Sequence, residues 1–196
     1  MLETHRASVP RSEGGELSEV ALSMAARPVR FPLVVRDDVR DNERMTTKTF
    51  LVAGIDPAEA DQLRAAGGVT YKADSRPGYP CRQCLRDAEI GDEMLLVSYD
   101  PFSASSPYRC PSPIFIHSTP CAPDDQDGLP VQLTSRTLSV RGFDSAAMML
   151  DAALIEGDDL GATIESLFDN PAIDHLHVHN ASRGCFAARV ERGPDI

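Results

Sequence analysis

The sequence predicts an α+β fold, mostly antiparallel sheet, with two strand-helix-strand passages and long Pro/Ser-rich loops. Three observations predict it. Short β-rich runs recur from Thr49 to Glu191, only two segments carry clear helix boundaries, and the middle of the chain is broken by loops. Short strands bounded by turn residues build sheets, and few crossover helices leave those sheets mainly antiparallel.

The chain has 196 residues and a net charge of −11, with a pI near 4.8. Such a surface repels phosphate backbones, so nucleic acid is not expected as a partner. No apolar run is long enough to span a bilayer, and the N-terminus lacks a basic segment followed by an apolar one. Five cysteines, an odd number, without an export signal predict reduced thiols and a cytoplasmic protein. Nothing in the pattern fixes an oligomeric state.

Residues 1–44 hold seven Arg and no Lys, with no sustained period of 3.6 or 2.0. They read as a disordered extension or as sequence upstream of a misassigned start, since Met45-Thr46-Thr47-Lys48 resembles a natural beginning. Residues 45–196 read as one α+β domain.

Within that domain Thr49 to Ala53 is a strand. Asp56-Pro57-Ala58-Glu59 then starts a helix, with Asp as cap and Pro in the first turn. Gly67-Gly68 ends it. Val69 to Ala73 follows as a strand and completes a compact β-α-β unit. Met94 to Tyr99 and Ile114 to His117 are further strands, flanked by loops 100–113 and 119–130. Val131 to Arg141 and Met148 to Ile155 read as a hairpin. Gly157-Asp158-Asp159 opens a helix whose Leu160, Ile164, Leu167 and Phe168 share one face. Asn170-Pro171 stops it, and Asp174 to Asn180 and Cys185 to Glu191 are the last two strands.

The densest chemistry lies at Arg76-Pro77-Gly78-Tyr79-Pro80-Cys81-Arg82-Gln83-Cys84-Leu85. The C-x-x-C spacing puts two sulfurs within reach of one ion or of each other. Zinc wants four N or S ligands, and Cys110, His117 and Cys121 are the completing candidates; the all-thiolate set is Cys81, Cys84, Cys110 and Cys121. A thiolate enzyme, redox or acyl-transferring, using Cys81 or Cys185 is a second possibility, because Arg82 and Arg86 favour the ionised thiol. No catalytic residue is assigned. The plain alternative is a pair of small buried side chains closing a turn. His175, His177 and His179 alternate on one strand face, which reads as the polar face of a half-buried strand. The acidic turns at 87–93 and 124–127 lack the calcium-loop pattern.

Several motifs in fixed order carry a resemblance. They are Pro80-Cys81-Arg82 with Leu85, Asp87-Ala88-Glu89 to Gly91, Leu95-Leu96 to Tyr99, and Ser106-Pro107-Tyr108. Pro113 to His117 and Gly184 to Arg192 complete the set. From Thr46 to Arg192 the chain resembles a bacterial domain-of-unknown-function family, DUF1203. The resemblance implies no activity or cofactor. It implies a firmer pattern at Cys81 than at Cys84, where serine also appears. That favours a pocket of Cys81, Arg82, Tyr108, His117 and Cys185 over four thiolates. In such a pocket Arg82, with Arg109 as a second candidate, would hold a small anionic molecule through bidentate hydrogen bonds.

Overall fold

Two antiparallel sheets carry the architecture. The computed structural model describes residues 50–123 and 128–193. The expected extension 1–44 and the acidic stretch 124–127 lie outside the described residues.

The larger sheet contains β1 (Phe50–Ala53), β5 (Thr137–Phe143), β6 (Met149–Glu156), β7 (His175–Asn180) and β8 (Phe186–Arg192), in the order β1-β8-β7-β5-β6. The smaller sheet is β2 (Val69–Lys72), β3 (Glu93–Tyr99) and β4 (Ser112–His117), in that order. Every pairing is antiparallel. Helix α1 spans Pro57–Ala66, a one-turn helix α2 spans Val131–Thr134, and α3 spans Leu160–Phe168 after a 3₁₀ turn.

Helix α1 forms where its signals place it. The Asp56 side chain accepts from the Ala58 amide at 2.8 Å, and Gly67 leaves the helix at φ +80°. The two strands around it do not pair with each other, however. β1 joins β8, and β2 joins β3, so the expected compact β-α-β unit links two sheets. The second passage, β6-α3-β7, stays within one sheet. Both strands flank β5 antiparallel to it, so they run parallel to each other, and α3 supplies the crossover such a pair needs.

Alternation sets the core of the large sheet. Val140, Val178, Ala188 and Val190 point to one face and meet Leu160, Ile164, Leu167 and Phe168 of α3. Each fully buried aliphatic side chain there stabilises the fold by about 1.5–3 kcal/mol. A second core under the small sheet holds Ile55, Ala60, Met94, Val97, Ile114, Ile116, Cys81 and Cys84, and Phe186 reaches it from β8.

Two sequence expectations change. Val131 to Arg141 is not one strand: Val131–Thr134 turns as helix α2, and the strand begins at Thr137. The turn buries Gln132, whose Nε2 donates to the Cys81 carbonyl at 3.1 Å, so a tertiary contact decides the local form. Likewise β7 is not half-buried. It is the central strand of five, and His175, His177 and His179 are all buried. Their rings meet at tilted angles, with centroids 5.0 and 6.2 Å apart, and Phe102 and Phe143 pack against His177.

No helix among the described residues is long and apolar enough to cross a membrane.

Candidate metal centre

The C-x-x-C loop leaves β2 and folds back as a tight turn. The Leu85 amide donates to the Cys81 carbonyl at 3.1 Å and the Cys81 amide to the Arg86 carbonyl at 2.9 Å. This brings Cys81 and Cys84 to one side of the turn. Leu85 follows in the left-handed region at φ +57°, a conformation that leucine rarely adopts, and its side chain is held in the larger core. A bridge from Cys81 to Phe115, with Arg82 N donating to Phe115 O at 2.9 Å, lays the turn along β4. His117 ends that strand and Cys121 lies four residues on.

These four side chains converge. One donor atom from each of Cys81, Cys84, His117 and Cys121 lies within 4.8 Å of the other three. Cys81 Sγ and Cys121 Sγ are 3.7 Å apart, as are Cys84 Sγ and His117 Nδ1. Sulfurs bound tetrahedrally to one zinc at about 2.3 Å stand about 3.8 Å apart, and a sulfur and an imidazole nitrogen about 3.6 Å. A disulfide needs about 2.05 Å, so the sulfur pair has ligand spacing and not bond spacing.

The surroundings fit the same chemistry. His117 turns Nδ1 toward the sulfurs and Nε2 toward Asp92 Oδ2, 3.5 Å away. A carboxylate behind the outer nitrogen is the usual partner of a metal-bound histidine, fixing its tautomer and orientation. Arg64 from the last turn of α1 donates through Nε to the His117 carbonyl at 3.0 Å and through Nη2 to Gln83 Oε1. Gln83 in turn donates to the Cys121 carbonyl at 3.0 Å. One guanidinium thus braces both arms of the cluster, while its Nη1 pairs with Asp61 at 2.6 Å.

Electrostatics among the donors follow from their packing. Hydrogen bonds from Cys121 and Cys84 hold the Cys81 thiol below its usual range, against the effect of burial. Cys121 is held above its usual range by hydrogen bonds with Cys81 and then Cys84. Hydrogen bonds to Cys81 and Cys84 raise His117 to about 10. A divalent cation with an affinity for sulfur would satisfy all four donors at once by displacing these protons. Cys81 and Cys84 are fully buried, and four protein donors leave no open position, which is the form of a structural site.

The other expected site residues go elsewhere. Cys110 is exposed and outside the cluster. Tyr108 packs edge-on against Phe143 at 5.9 Å. Arg109 pairs with Asp100 at 2.8 Å. Arg82 leaves the chain in another direction from Cys81: its guanidinium is buried, donating to the carbonyls of Phe186, at 2.7 Å, and of Pro80. With Cys185 it lines a separate hollow. The five residues Cys81, Arg82, Tyr108, His117 and Cys185 are therefore distributed over three places.

Comparison with known families adds one finding. Residues 78–192, more than half of the chain, match the model of a family described as protein of unknown function, DUF1203. The chain belongs to the DUF1203 family. No curated protein and no solved structure matches it. The DUF1203 segment contains all four donors and Asp92, whereas Arg64 stands outside it. Arg64, Gln83 and Asp92 are the residues that spacing alone does not reveal. Gln83 lies in view between the two cysteines, but nothing about it there signals a role. Arg64 looks like an ordinary basic residue favouring a helix C-terminus.

Proposed function

We propose that this DUF1203 protein is a zinc-binding protein, with Cys81, Cys84, His117 and Cys121 holding one structural ion. The observation that carries the reading is the convergence of four soft donors at tetrahedral spacing, drawn from two loops and the end of β4. Three thiolates and an imidazole select zinc over the hard cations, which take oxygen ligands. The ion would tie the C-x-x-C turn to the end of β4 and close the thin second core, to which a small sheet contributes few large side chains.

Metal analysis of protein purified without a histidine tag tests this. The expected content is close to one zinc per chain. Cys84→Ser and Cys121→Ser should each lose most of it, and Cys110→Ser should keep it. A zinc content near zero in the parent, or a loss in Cys110→Ser equal to that in Cys121→Ser, sinks the proposal.

A further inference from the structure

A hollow of about 810 Å³ lies away from the metal cluster, between the small sheet and the turn joining β7 to β8. Its lining is unlike the rest of the chain. Acidic residues outnumber basic ones by 30 to 19 in the sequence, yet among the described residues the hollow is lined by Arg82, Arg136 and Arg183 and by no carboxylate. Arg136 is neutralised from behind by Asp87 at 2.6 Å. Arg82 makes no direct ion pair among the described residues: it is 3 % exposed, its bonds go to two carbonyls, and Asp87, which Arg136 holds, acts on it only at longer range. A buried cation without a directly bonded counter-ion gains from an anion that reaches it. Burial lowers Arg82 only to about 10, so it stays charged at neutral pH. Arg183 is exposed on the β7–β8 turn.

The same hollow carries a group of aromatic rings. Tyr71, Tyr79 and Phe115 all line the hollow and contact one another, with ring centroids 5.1 to 6.3 Å apart. Tyr71 is 40 % exposed although it is a large ring on a sheet. Cavities of this size hold small organic molecules, and apolar walls with few convergent polar groups are their usual lining.

We propose that this hollow binds a small organic anion, a carboxylate or phosphate monoester, carried on a flat unsaturated body. Arg82 and Arg183 take the charge, and the three rings take the body by stacking and edge contact. The site stands independently of the metal, since none of the four zinc donors lines it.

Calorimetric titration of the full chain, as purified, tests the site with four probes: phenyl phosphate, benzoate, inorganic phosphate and benzyl alcohol. At least one of the two aromatic anions should bind, and benzyl alcohol should be about tenfold weaker or worse. The stronger of the two aromatic anions identifies the headgroup. Arg183→Glu should weaken that anion about tenfold, and Tyr71→Ala should weaken it while leaving inorganic phosphate little changed. Both residues are exposed, so neither change threatens the fold. Binding of benzyl alcohol as tight as that of the anions overturns the proposal. So does the absence of heat with both aromatic anions, or parental affinity in both variants. Zinc content measured on the same batches separates a failure here from a failure of the metal reading.

Discussion

At Gly54 a side chain has no room. A β-carbon there would stand 2.5 Å from the Arg82 carbonyl oxygen and closer still to that of Gln83. The close approach lets the Ile55 amide donate to Arg82 O at 2.8 Å, so the end of β1 clamps the C-x-x-C turn. Gly54→Ala should therefore cost about 1–3 kcal/mol by forcing backbone apart, and should weaken zinc retention in a chelator competition. Unchanged chelator kinetics would show that the clamp and the cluster are unconnected. Arg64→Ala acts from the other side, removing the shared donor to Gln83 and His117. The loss of such an outer partner typically lowers metal affinity 10- to 100-fold, at about the same zinc stoichiometry when metal is in excess, and Arg64→Lys should restore only part. At this scale much was legible: the sequence names Cys81 and Cys84 by spacing and offers His117 and Cys121 among three completing residues. Choosing between His117 and Cys110 was beyond it, because the path of loop 100–111 has no period to read. The sequence offers Arg82 as an anion-binding candidate but does not report its separation from Cys81. Neighbouring side chains diverge only once Cys81 is seen bridged to Phe115.

Strand β7 shows why element type is easier to read than environment. Its alternation is plain in the sequence, and the structure keeps His175, His177 and His179 on one face. Whether that face meets water depends on what lies over it, and here Phe102, from the loop after β3, packs on His177. Desolvation by burial, with His175 and Arg189 nearby, pushes His177 down to about 2; burial, with Arg141 nearby, pushes His179 down to about 4. His175 is lowered as well, by burial and then Arg189, against the hydrogen bond with Asp174. At these three positions the unfolded chain then binds more protons than the folded one below about pH 6.5. Their contribution to stability should be complete above that value and be lost as pH falls, by about 2 kcal/mol for each of His177 and His179 at pH 5, continuing toward their folded values. Urea midpoints from pH 7.5 to 5 measure this. Among the described residues Nδ1 of His177 has no hydrogen-bond partner and its Nε2 only a 3.5 Å contact with Arg189, so His177→Leu forfeits little. It should flatten the pH dependence; a parental slope in that variant would remove the ladder as its cause. The misread segment Val131–Thr134 teaches the converse lesson. Its apolar content suits a strand, yet one helical turn delivers Gln132 to the Cys81 carbonyl, and no local propensity reports that.

For the molecule as a whole, the two cores differ in what holds them. The larger sheet packs a full helix across one face, with Leu160, Ile164, Leu167 and Phe168 against Val140, Val178 and Val190. The smaller core is built from short strands and relies on Cys81 and Cys84 as packing side chains, so an ion bound by the cluster would share its atoms with the core. Metal removal should then be felt unequally. The protons that return to the thiols and imidazole restore no bond between the C-x-x-C turn and the end of β4, and that region should open at a lower free energy than the rest. Hydrogen exchange on chelator-treated protein should rise at 80–85, 93–99 and 112–121. It should stay near the metal-loaded values in β5, β7 and α3, where protection comes from the larger core. Cys84→Ser should reproduce the pattern without a chelator, which separates loss of the ion from any direct effect of the reagent. Equal loss of protection in both sheets would mean the cores unfold as one unit, with the ion stabilising the entire fold. Unchanged exchange throughout would mean that the four donors hold nothing the packing does not already hold.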